Sequence, residues 1–175
     1  MTKKIIVFSG KQYSGKDTVA KIILEKLTDF KRIGLGDAIK IEYGKTIGKT
    51  FDEIEKEKHL YRADLIKFAN EKREIDQDYW IKKIVEYPDN VIVPDMRVKR
   101  EYDFFKSQGA YMIRVEASVE ARSKRGTLVK ADDPTETALD EINDWNYVIY
   151  NESDYKTLIE NTDKLLKNYI DFCKL

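Results

Sequence analysis

Apolar residues come in short runs along the chain, at Ile5 to Phe8, Arg32 to Leu35, Val91 to Val93, Tyr111 to Val115 and Tyr147 to Ile149. Each run has the length and residue types of a strand buried on both faces. Between them, segments such as Thr18 to Leu27 and Arg97 to Gln108 carry apolar residues at three- and four-residue spacing, with Lys and Glu elsewhere. Those spacings predict amphipathic helices. Strand alternating with helix implies a parallel sheet, because parallel neighbours need a crossover and crossover helices cover both faces of the sheet. The expected architecture is a three-layer α/β domain of about five strands, spanning residues 1–175 as one unit. Two stretches break the alternation: a helical, charged one from Phe51 to Tyr87 and a polar one from Arg122 to Pro134. Insertions of this kind are where pockets and lids sit.

Composition narrows the chemistry. The 32 basic and 32 acidic residues cancel, and the two signs interleave, so electrostatic binding of nucleic acid loses its usual basis. No stretch approaches the apolar length of a membrane span, and the N-terminus lacks a cleavable signal, so a cytoplasmic protein is expected. One cysteine (Cys173) and one histidine (His59) exclude an internal disulfide and a Cys/His zinc site. The remaining chemistry rests on Lys, Arg and Asp.

Directly after the first strand, Gly10-Lys11-Gln12-Tyr13-Ser14-Gly15-Lys16-Asp17-Thr18 has the G-x-x-x-x-G-K spacing of a phosphate loop and then opens a helix. The two glycines let backbone N–H groups and the helix N-terminus converge on one anion, and Lys16 adds a point charge for the β- and γ-phosphates. Lys16 is expected at a solvent-facing helix start. Asp17 stands where Ser or Thr ordinarily ligates Mg²⁺, so it is either a metal ligand or a partner of the helix dipole. Asp95, at the end of the run Val91 to Val93, is either the second acid of the metal shell or a cap for the next helix. Arg97 would face the same crevice. Arg62 and Arg73 are eleven residues apart and share a helical face with Ile66 and Ala69. That pair either binds an anion or forms a solvated stripe balanced by Glu71 and Glu74. Arg122, Arg125 and Lys130, around Gly126 and before Asp132-Asp133-Pro134, read either as a lid whose cations meet the transferring phosphoryl group or as a surface loop.

Taken together, Phe8-Ser9-Gly10-Lys11, Ser14-Gly15-Lys16-Asp17, Arg62 with Asp64 and Ile66, Glu71-Lys72-Arg73, Asp76 and Lys83-Ile84-Val85 resemble the animal-type phosphomevalonate kinase family. Asp95 with Arg97, Arg125-Gly126, Asp132-Asp133 and the run Asp144-Trp145…Val148-Ile149…Asn151 extend the resemblance over nearly the whole chain. It implies the P-loop nucleoside-monophosphate-kinase fold: a five-stranded parallel sheet in the order 2-3-1-4-5, an acceptor-binding region at about 37–87 and a lid at about 122–134. ATP and Mg²⁺ are the implied cofactors, and a small phosphate monoester the implied acceptor. On this reading Gly10, Lys11, Ser14, Gly15, Lys16, Asp17, Thr18, Arg122 and Asn151 bind ATP. Asp17, Thr18 and Asp95 organise the metal, and Arg32, Lys40, Arg62, Arg73 and Arg97 hold the acceptor. Lys16, Asp17, Arg97 and Arg125 act in catalysis, in a protein expected to be a monomer. The family's loop is more basic where this chain has Gln12 and Tyr13. SGKDT, the V-P-D-x-R strand end and Tyr79-Trp80-Ile81-Lys82 are also similar to phage-type deoxynucleoside monophosphate kinases, which keeps that acceptor class open. The non-catalytic alternatives are a nucleotide sensor using the same loop and an interaction module with a degenerate fold.

Overall fold

The structure, a computed structural model, describes residues 3–129 and 133–174. In chain order the elements are β1 (Ile5–Ser9), α1 (Lys16–Lys26), β2 (Phe30–Arg32), α2 (Leu35–Ile47), α3 (Phe51–Lys56), α4 (Lys58–Ile75), α5 (Tyr79–Val85) and β3 (Asn90–Val93). There follow α6 (Lys99–Ser107), β4 (Tyr111–Glu116), α7 (Val119–Arg125), α8 (Pro134–Thr137), β5 (Tyr147–Tyr150) and α9 (Tyr155–Phe172). The chain divides into two compact units, one made of Met1–Arg32 with Asp89–Leu175 and the other of Ile33–Pro88.

In the first unit the strands described form one parallel sheet in the order β2-β3-β1-β4-β5, as the resemblance implies. β1 is central and buried along its whole length, with Val7 paired to Val93 on one side and to Met112 on the other. Its alternate residues serve opposite faces. Ile6 and Phe8 join Val19, Ile23, Ile113, Ile149, Leu158 and Leu165 in one apolar cluster that binds α1 and α9 to the sheet. The short, uninterrupted apolar runs exist because both faces of the sheet are covered.

Two boundaries differ from the sequence expectation. The second strand lies at Phe30–Arg32 rather than Arg32 to Leu35, because the Asp37 carboxylate accepts the Gly34 N–H at 2.9 Å and starts α2 at Leu35. The stretch from Arg122 is not wholly irregular either. Arg122 to Arg125 complete α7, capped by the Ser118 hydroxyl, which accepts the Ala121 N–H, and Pro134 opens α8. Lys130 and Asp132 lie outside the described residues.

The second unit is helical. Trp80 donates its indole N–H to the Ala69 carbonyl at 3.1 Å, and this joins α5 to α4. Tyr79 donates to Glu42 at 2.8 Å, joining α5 to α2. Rings fill the space between: Phe68 lies 5.6 Å from Tyr43 and 5.9 Å from Trp80. Among the described residues no helix is long and apolar enough to cross a membrane.

Candidate active site

The turn between β1 and α1 is shaped by backbone conformations that the sequence only partly announces. Gly15 has φ +98°, and a Cβ there would meet Asn151 Nδ2 at 2.3 Å. Only glycine fits such a position. Tyr13 also lies in the left-handed region, at φ +59°, without being glycine. Its ring lies against Gly126, where a Cβ would come within 2.3 Å of two ring carbons. The N-termini of α7 and α9 are capped by Ser118 and Asp154, but α1 begins behind Gly15 with no side-chain cap. Its first N–H groups are left for an anion. Ser14 Oγ, buried beside them, has no hydrogen-bond partner among the described residues.

Gly15, Lys16, Asp17, Thr18, Arg97 and Arg125, with Gln12 and Tyr13, line a cavity of about 400 Å³. Lys16 is not solvent-facing as expected: it is 8% exposed, since the loop must curl round the side chain for amides and ammonium to face one ligand. Asp17 is largely exposed. One of its oxygens lies 3.8 Å from Lys16 Nζ and the other 3.8 Å from Arg32. Asp95 is half-buried in the turn after β3. α6 begins at Lys99 with Val98 at its N-cap, so the helix-cap alternative for Asp95 falls away.

The remaining nucleotide candidates surround the loop. Asn151 donates from Nδ2 to the Ser14 carbonyl at 2.8 Å, while its own carbonyl accepts from Arg125 at 2.7 Å. Arg125 also donates to the Tyr13 carbonyl at 3.3 Å. Arg122 is buried, with NH1 3.4 Å from the Gln12 carbonyl and Nε without a partner among the described residues. The Gln12 amide is bound twice by Val129, donating to its carbonyl at 2.7 Å and accepting its N–H at 3.2 Å. Residues 122–129 are thereby fastened to the phosphate loop.

In the second unit, Arg62 and Arg73 are both exposed on the unbroken α4, about 16 Å apart along its axis. Arg73 donates to Asn70 at 3.1 Å. Lys40 sits in an ion-pair network with Glu55 at 2.6 Å and Asp37 at 3.4 Å. Hydrogen bonds from Lys40 and then Lys58 pull the Glu55 carboxyl down to about 2, against the effect of burial.

Three polar residues escaped the sequence reading. Glu136 accepts the Gln12 N–H at 2.7 Å and Arg97 NH1 at 2.5 Å. Burial raises its carboxyl, but the Gln12 N–H and the Arg97 guanidinium outweigh burial and hold it below the ordinary carboxylate value. Asp140 accepts from Lys11 at 2.6 Å and from Arg114 at 3.0 Å. Arg114 is buried within β4 and also donates to Ser9 Oγ at 3.0 Å and Glu116 at 2.6 Å. A charge in the middle of the run Tyr111 to Val115 was the available signal, because a strand buried on both faces keeps a cation only with partners.

The sequence profile of the phosphomevalonate kinase family matches residues 8–111, a span that takes in the phosphate loop, the whole second unit and Asp95 to Arg97. The chain belongs to the phosphomevalonate kinase family. It is an ATP-dependent phosphotransferase, and the sensor and interaction-module alternatives fall away. Solved structures similar to this family member include shikimate kinase from Bacteroides thetaiotaomicron, at 15% identity, with 94% of this chain and 97% of that one covered and a TM-score of 0.55. Shikimate kinase from Aquifex aeolicus gives 15% identity, coverage of 95% and 98%, and a TM-score of 0.53. TT1252 from Thermus thermophilus gives 14%, coverage of 95% and 97%, and 0.55. At these identities the likeness shows a shared fold, the P-loop α/β fold expected from the loop and the strand order.

Proposed function

We propose that this enzyme transfers the γ-phosphoryl group of ATP to phosphomevalonate, giving diphosphomevalonate and ADP. The observation that carries the reading is the convergence of Lys16, Arg97 and Arg125 on one cavity behind an uncapped helix N-terminus. Two phosphate groups must approach each other there, and clustered cations offset their repulsion. The acceptor phosphate oxygen is already an anion at neutral pH, so it attacks the γ-phosphorus without a general base. The bond to the bridging oxygen breaks and ADP leaves with the charge. The chain's part is positioning and neutralisation: loop amides and Lys16 on the ATP phosphates, Arg97 and Arg125 on the transferring group. Asn151 and Arg122 support the ATP site through the loop carbonyls they bond. Arg32, Lys40, Arg62 and Arg73 are proposed to hold the acceptor, the separation of the last two suiting a ligand with anionic groups at both ends. Cytoplasmic, monomeric action is part of the proposal.

Mg²⁺ fits the residues present. Among the described residues no cluster of three or more His, Cys, Asp or Glu could cage a metal. Kinases, however, hold Mg²⁺ through one or two carboxylates together with substrate phosphates and water. Asp17, Thr18 and Asp95 supply hard oxygen donors of that kind, and the ion would neutralise phosphate charge. Asp17→Asn should therefore raise the Mg²⁺ concentration giving half-maximal rate, with ATP affinity measured without metal nearly unchanged. An unaltered Mg²⁺ titration would return Asp17 to the helix-dipole role.

A deoxynucleoside monophosphate is the second reading, favoured by the aromatic residues of the second unit, since a base needs a stacking face. Those rings are engaged with one another, Tyr43 with Tyr61 at 6.3 Å and Tyr79 with Trp80 at 4.9 Å, and Lys72 lies over Phe68 and Tyr79 at 5.4 Å. A stacked base would have to displace these contacts. The deciding experiment couples ADP release to each acceptor in turn, with ATP and Mg²⁺ present. The expected result is the highest kcat/KM with phosphomevalonate; a higher value with any deoxynucleoside monophosphate would overturn the choice.

A further inference from the structure

Glu136 belongs to none of the motifs from which the ATP and acceptor sites were read, yet its side chain is only 3% exposed. A carboxylate withdrawn that far from water persists only when paired and hydrogen-bonded. Its two oxygens are divided between two functional elements, one accepting from the Gln12 N–H of the phosphate loop and the other from the Arg97 guanidinium. Arg97 is further held at its backbone, where its N–H donates to Glu101 at 2.7 Å. Four residues on, Asp140 does the same for the neighbouring loop position, taking Lys11 on one oxygen and Arg114 on the other.

We propose that Glu136 is a positioning residue for phosphoryl transfer, holding the Arg97 guanidinium at a fixed separation from the phosphate loop before either substrate arrives. The proposal rests on the reading of the Arg97 cavity as the transfer site. Arginine has a long stem, and ordering it in advance removes a cost that substrate binding would otherwise bear. A guanidinium carries five N–H donors, so the contact with Glu136 leaves others for a phosphate oxygen. The phosphate loop is the reference against which Arg97 must be placed, and Glu136 bonds that loop through the Gln12 backbone N–H, a donor that every residue but proline would keep.

Glu136→Gln tests this, because the amide keeps the size and an oxygen for the Gln12 N–H while losing the charge that orders Arg97. The expected result is a folded protein whose kcat falls about tenfold or more, with the KM for ATP nearly unchanged. Combining Glu136→Gln with Arg97→Ala should cost little beyond Arg97→Ala alone, since one residue acts through the other. In parallel, NMR of the arginine Nε–H groups should find Arg97 ordered in the unliganded wild type and mobile in Glu136→Gln. Unchanged kcat in the folded variant, or losses that multiply in the double variant, would overturn the proposal. If the wild type turns over neither phosphomevalonate nor a deoxynucleoside monophosphate, the functional reading fails separately. The NMR result then decides by itself: an Arg97 equally ordered in both proteins overturns the positioning role, and a mobile one in the variant upholds it.

Discussion

Replacing Lys16 with methionine is expected to lower kcat by about three orders of magnitude while leaving the protein folded, a loss of roughly 4 kcal/mol of transition-state stabilisation. The side chain is 8% exposed and lines the cavity of Gly15, Asp17, Arg97 and Arg125. Its stem is therefore part of the packing under the loop, and methionine keeps that stem while removing the charge. Alanine would remove both, and its effect would mix lost packing with lost chemistry. The measurement pairs kcat in the ADP-release assay with a thermal melt of each variant. A folded Lys16→Met protein with kcat within about tenfold of wild type would remove Lys16 from the transfer step.

Gly15→Ala should be nearly as damaging, for a backbone reason. At φ +98° an L side chain is strained, and the new Cβ would also lie 2.3 Å from Asn151 Nδ2, the atom that holds the Ser14 carbonyl. Strain of this kind costs about 1–3 kcal/mol, and the collision moves the loop amides that face ATP. A fall in kcat/KM for ATP of about 100-fold is expected, with a lowered Tm. Gly48→Ala is the control. Gly48 has φ +69° at the end of α2 with no described residue within 4 Å of a new Cβ, so it carries the strain without a collision. It should lower Tm and spare turnover. Equal losses of turnover in the two variants would show that the Asn151 contact does not shape the site.

The sheet is legible because its inner strands β1, β3 and β4 are buried on both faces and so appear as continuous apolar runs, and the phosphate loop because its glycines and lysine must stand at fixed spacing. The second strand was misplaced since Ile33 and Leu35 look like strand residues, whereas Asp37 already commits Gly34 to a helix start. Glu136 and Asp140 were illegible for a different reason. Their partners are far off in sequence, Gln12 at 124 residues from Glu136 and Lys11 at 129 from Asp140, and only the folded chain brings them together. From the charge pattern, Arg122 and Arg125 read either as lid cations awaiting substrate or as part of a surface loop. Both already hold loop carbonyls, which the charge pattern alone could not convey.

The contact between Tyr13 and Gly126 bears on how this enzyme can vary by descent. Gly126 has an extended backbone that any residue could adopt, and the nearest described atoms a new Cβ would meet are those of the Tyr13 ring. The two positions are therefore coupled in their history. A lineage that enlarges residue 126 must move or shrink the exposed ring at residue 13, so a change at one position alters what the other accepts.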